Sequence, residues 1–78
     1  MIFTTKRYAE PSLRAYAKSA ADKAKGRYVA RGKKTIADLV GFASKAGQRR
    51  LTIIGESADG ERPRHIIEIF PGGRWRWD

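Results

Sequence analysis

Apolar positions along the chain switch between strand-like and helix-like spacing. Met1 to Thr5 (MIFTT) is short, apolar and β-branched, which predicts a strand. From Pro11 the period changes: Leu13, Tyr16, Ala17, Ala20, Ala21 and Ala24 recur at helical spacing, with Arg14, Lys18 and Lys25 on the opposite side. Pro11 suits the first turn of that helix and Gly26 the left-handed stop behind it. Arg27 to Ala30 (RYVA) predicts a second strand, and Arg31-Gly32-Lys33-Lys34 a loop. Thr35 and Asp38 have the spacing of a capping box for a second helix that buries Ile36, Leu39, Val40, Phe42, Ala43 and Ala46 and stops at Gly47. Leu51 to Gly55 (LTIIG) predicts a third strand. Asp59-Gly60 marks a turn, so Arg64 to Phe70 (RHIIEIF) should return antiparallel. After Pro71-Gly72-Gly73, residues 71–78 end as a short Arg/Trp-rich edge strand or a tail.

The order β-α-β-α-β-β places the chain in the α/β class, as one domain over residues 1–78. Alternating strands and helices predict a mostly parallel sheet with right-handed crossovers. Ile53-Ile54 and Ile66-Ile67 supply apolar side chains to both faces. Two helices then divide one to each face, which makes a minimal sandwich. A chain of 78 residues buries only about 60% of its unfolded surface, so the core is small.

Charge adds the first hint of a partner. Seventeen Lys and Arg stand against eight Asp and Glu, a net charge of +9 and a pI near 10.5. The excess is lopsided, because residues 1–35 hold ten basic and two acidic side chains. Such a balance favours a polyanion, most often nucleic acid. No cysteine is present, which excludes disulfides and thiolate metal sites. No apolar run approaches the ~20 residues of a membrane span, so a cytoplasmic location without membrane contact is expected. His65 is the lone histidine, and no carboxylate pair, nucleophile–base arrangement or phosphate-cradling glycine motif is present. The expectation is no enzymatic activity, no cofactor, no metal and no small-molecule substrate.

Topology then gathers the cations. Loops after parallel strands share the carboxyl edge of the sheet, where open α/β folds bind ligands. Lys6 and Arg7 follow the first strand, Arg31, Lys33 and Lys34 the second, and Arg14 lies in the first turns of helix one. Both helix N-termini point to that edge with free N–H groups. Gly32 allows close approach of a phosphate, or only turns the chain. Tyr8 is placed to stack on an unpaired base. Trp75 and Trp77 either stack on bases beside Arg74 and Arg76 or close the core, one turned inward and one partly exposed. Glu56, Asp59 and Glu61 oppose the cluster, with Arg62 and Arg64 near enough to neutralise part of them. Lys25, Arg27, Arg49 and Arg50 fall at the opposite edge, where a solubilising role suffices.

Several of these residues also form a pattern. Thr4-Thr5-Lys6-Arg7, then Pro11-Ser12 and Arg14, resemble the opening signature of the archaeal Brix domain. Tyr28-Val29-x-Arg31-Gly32-Lys33-Lys34-Thr35 and Arg50-Leu51-x-Ile53-Ile54-Gly55-Glu56 resemble two later segments of it. The resemblance implies an anticodon-binding-domain-like half, a role in ribosome biogenesis, and contact with rRNA or pre-rRNA through Lys6, Arg7, Arg14, Arg31, Lys33 and Lys34. A full Brix domain has two similar halves, and this chain resembles the first alone, which implies a homodimer or a second chain that completes it. Ala30-Arg31-Gly32-Lys33 also resembles a segment of the Alba family of small basic DNA- and RNA-binding proteins, an alternative reading. A third reading is a protein-interaction module whose basic face docks an acidic partner.

Overall fold

The computed structural model describes residues 1–78. Five strands, β1 (Ile2–Thr5), β2 (Arg27–Tyr28), β3 (Arg50–Ile54), β4 (Arg64–Phe70) and β5 (Arg74–Trp77), form one sheet in the order β2-β1-β3-β4-β5. Helix α1 (Pro11–Lys23) links β1 to β2, and α2 (Ile36–Lys45) links β2 to β3. The sheet is mixed rather than mostly parallel. β1 runs parallel to β2 and β3, whereas β3–β4 and β4–β5 are antiparallel. No helix follows β3, and short connections bring a strand back beside its predecessor in the opposite direction.

β1 is the centre of the winding, with β2 on one side and β3 on the other. Right-handed crossovers to opposite sides put the two helices on opposite faces. Strand alternation then divides the apolar residues. Phe3 and Ile54 meet Leu13, Ala17, Ala20 and Ala21 of α1. Ile2, Leu51, Ile53, Ile67 and Ile69 meet Leu39, Val40 and Ala43 of α2. Each large side chain buried in these two small cores contributes about 1.5–3 kcal/mol.

Both helix ends are Schellman motifs, though not with the same residue at the left-handed position. Gly47 occupies it behind α2, with φ +74°. Behind α1 the position falls to Lys25, φ +55°, and not to Gly26. The amide of Gly26 donates to Ala21 O at 2.7 Å, closing the motif one residue later. Glycine is required there because a Cβ would lie 2.6 Å from Met1 O and 3.0 Å from the Phe3 ring. The capping box of α2 is formed as expected, with Thr35 Oγ1 accepting from Asp38 N at 3.2 Å.

Residues 74–77 form a true edge strand. Alternation places Trp75 and Trp77 on the same face, opposite Ile69 and Ile67, so neither points the other way from its neighbour. Their indoles pack edge-to-face at 5.7 Å, and Trp77 meets His65 at 6.2 Å. The pair shields Ile67 and Ile69 and stays 37% and 52% exposed. The whole body measures 37 × 23 × 21 Å.

Candidate nucleic-acid interface at the carboxyl edge

The carboxyl edge carries the loops after β1 and β2. Between them lies a crevice of about 450 Å³, lined by Thr5, Lys6, Tyr8, Ala9, Arg14, Ala30, Arg31, Gly32 and Lys33. Six of the eight residues singled out from sequence therefore line one cleft. Arg7 and Lys34 flank it. The Arg7 guanidinium sits 5.7 Å over the Tyr8 ring, and Lys34 Nζ donates to Ala30 O at 3.1 Å.

These residues do different jobs. Arg31 is buried, 8% exposed. Its Nε donates to Lys34 O at 2.6 Å and a terminal nitrogen donates to Thr5 O at 3.2 Å. Burial first, and the positive charge of Arg7 second, push its guanidinium below its ordinary pKa. The side chain thus ties the end of β1 to the loop ahead of α2, with little surface left for a ligand. No sequence pattern separates Arg31 from its exposed neighbours, because the carbonyls that hold it come from backbone on two distant segments. Lys6, Arg7, Arg14, Lys33 and Lys34 remain exposed. Arg14 donates to Ala9 O at 3.0 Å without being buried.

Tyr8 is 78% exposed and adopts φ +59°, a left-handed conformation that costs a non-glycine residue roughly 1–2 kcal/mol. The strained loop holds its ring out over the cleft, where a base can stack. Gly32 has φ +53° and open space where a Cβ would stand. Its role is the turn, so the backbone conformation accounts for it without any close approach by a ligand.

The helix ends supply less than the sequence promised. Asp38 Oδ2 accepts from Thr35 N at 3.0 Å, so a carboxylate already occupies the α2 terminus. Hydrogen bonds from the Thr35 amide and then the Thr35 hydroxyl hold Asp38 below the usual carboxylate range. At α1, Pro11 has no N–H to offer, and Glu10 brings an uncapped carboxylate to the N-cap.

The opposing acids are engaged among themselves. Arg62 lies 3.8 Å from Glu56 and 4.7 Å over the Tyr16 ring. Asp59 accepts from the Ser57 hydroxyl and from the Glu61 amide, and these bonds lower its pKa. The attraction at this edge therefore centres on the β1 and β2 loops, with five exposed cations around one cleft.

No protein-family model matches the chain, and no curated protein does. Among solved structures the fold is similar to Mil, an archaeal Imp4-like protein, with a TM-score of 0.73 and 22% identity over 97% of this chain and 47% of that one. It is also similar to a probable ribosomal biogenesis protein from Aeropyrum pernix, with a TM-score of 0.79 and 23% identity over 99% of this chain and 42% of that one. The chain spans less than half the length of either. The likeness is one of fold, a five-stranded mixed sheet with two helices.

Proposed function

We propose that this chain is an RNA-binding protein of ribosome biogenesis, with the carboxyl-edge cleft as its backbone-binding site. The convergence of cations from two separate loops on one cleft carries this reading. Two structural neighbours, one described as Imp4-like and one as a probable ribosomal biogenesis protein, support the biological setting. Lys6, Arg7, Arg14, Lys33 and Lys34 contact phosphates, Tyr8 stacks on an exposed base, and Arg31 holds the two loops in place. The target is rRNA or pre-rRNA, read by local shape rather than by base edges. A second chain, either another copy or a different protein, supplies the remainder of the binding surface.

Binding of an rRNA stem-loop tests the site. With about five phosphate contacts, log K against log salt should slope at roughly −3 to −4, taking the single-strand coefficient. Lys6→Gln with Lys33→Gln should flatten the slope by roughly 1.4 and weaken binding about equally across sequences. Lys25→Gln with Lys45→Gln, at the amino edge, removes the same charge and should do much less, since exposed charges beyond ~8–10 Å are largely screened. Equal losses from the two double variants would reduce the site to diffuse attraction.

A further inference from the structure

The helices leave one stretch of sheet uncovered. Phe3 and Ile54 define the face on which α1 packs, and α1 lies over β1 and β2. Beyond it the same face continues across β3, β4 and β5 without a helix. Register assigns its rows, since directly opposed residues share a face. Arg50 faces Glu68, which faces Arg76. Ile54 faces Arg64, and Phe70 faces Arg74. Four exposed arginines thus surround a floor of half-buried Ile66 and Phe70. Glu68 shares this face, and Asp78, whose amide donates to Ile66 O at 2.8 Å, continues its row just past β5.

The arrangement has more order than four surface charges. Arg76 reaches Glu68 at 3.4 Å and lies 5.3 Å over the Phe70 ring. A guanidinium over an aromatic ring offers a planar group on which a base can stack. Arg50, Arg64 and Arg74 have no carboxylate partner within salt-bridge distance. Phe70 also borders a crevice of about 550 Å³ that contains Arg50. Trp75 and Trp77 lie on the other face and shield Ile67 and Ile69, so they take no part.

We infer that this open face is a second nucleic-acid site, built for a short unpaired stretch of RNA. Bases stack on the Arg76–Phe70 pair and on the Ile66 floor, and Arg50, Arg64 and Arg74 meet the backbone phosphates. Unpaired RNA fits better than an acidic protein because the face joins stacking planes to cations, and stacking accepts any base. β5 is four residues long, about 13 Å, which suits a few nucleotides and not a duplex. The site is separate from the carboxyl-edge cleft and does not depend on it.

Anisotropy titrations with a twelve-nucleotide oligoadenylate, the abasic oligonucleotide of equal length and polyglutamate test the inference. For Arg74→Gln with Arg76→Gln, oligoadenylate affinity should fall about ten-fold, a loss of the order expected for one stacked base. Its salt slope should flatten by roughly 0.7, since Arg74 alone of the two meets a phosphate, and stem-loop binding should change less than two-fold. Lys6→Gln with Lys33→Gln should show the reverse preference. Arg74→Gln alone, which breaks no ion pair, should give a smaller loss in the same direction, and keeps the test valid if the double variant fails to fold. Unchanged oligoadenylate affinity would overturn the second site while leaving the cleft standing. Abasic oligonucleotide or polyglutamate bound as tightly as oligoadenylate would make the face a general acidic-partner surface and overturn the stacking claim. A wild-type protein that binds the oligoadenylate but not the stem-loop would sink the carboxyl-edge reading instead.

Discussion

Arg31 occupies the middle of the cationic segment, yet its guanidinium is spent on Thr5 O and Lys34 O. Removing it leaves both carbonyls short of a donor in a part-buried place. A lost charged hydrogen bond and an unsatisfied acceptor each cost about 1–3 kcal/mol. Arg31→Ala should therefore destabilise the fold by roughly 2–4 kcal/mol in chemical denaturation, whereas Lys33→Ala, at an exposed turn, should stay within about 0.5 kcal/mol. Similar stability for the two variants would show that the clamp is not structural. A drop in RNA affinity for Arg31→Ala measures loss of loop position as well as loss of charge. Residues of one type in one run hid this difference. Lys6, Arg14 and Lys33 were legible because topology alone decides their edge, while the role of Arg31 depends on which carbonyls meet in three dimensions.

At the scale of elements, the α2 cap links stability to acidity. Asp38 is held below its ordinary pKa by Thr35, and Asp59 by Ser57 and then the Glu61 amide. A carboxylate depressed in the folded state stabilises above its unfolded value, near 3.9. That contribution is lost as pH falls through the folded value. Thermal melting should accordingly weaken below about pH 4, and Asp38→Asn should narrow the gap between neutral and acid melting temperatures. Thr35→Ala should cost about 1 kcal/mol, or about 4–8 °C in a domain of this size. An acid limb identical in Asp38→Asn and wild type would remove the cap from the account. Thr35 and Asp38 were readable because a capping box is local, three residues apart. The strand–helix order was readable for the same reason, since apolar period is local. The antiparallel return of β4 was legible in the Asp59-Gly60 turn, but not that residues 74–77 would pair on as β5 and make half of the strand pairings antiparallel. Gly26 was misassigned on similar grounds: its neighbours Met1 and Phe3 lie far away in sequence.

For the whole molecule, the shape bears on assembly. β5 is one edge strand of the sheet and the two-residue β2 is the other, and open edges invite pairing with another chain. The two solved neighbours are more than twice as long as the matched stretch. Light scattering at micromolar concentration should show a dimer, or cell extracts should yield a stable partner chain; a strict monomer with no partner recovered would exclude both. The cationic arginines of β5 work against edge-to-edge pairing and favour a partner that brings negative charge. The central position of β1 has a further effect, on the order in which the molecule can be made. Ile2 pairs with Arg27 and with Leu51, so β1 waits for partners 25 and 49 positions later in the chain. The β3–β4–β5 ribbon needs only its own short turns. Loop closure across longer separations costs more entropy and slows pairing. During synthesis β1 and α1 precede both strands that pair with β1, and one backbone edge of β1 stays without its partner until β3 has left the ribosome.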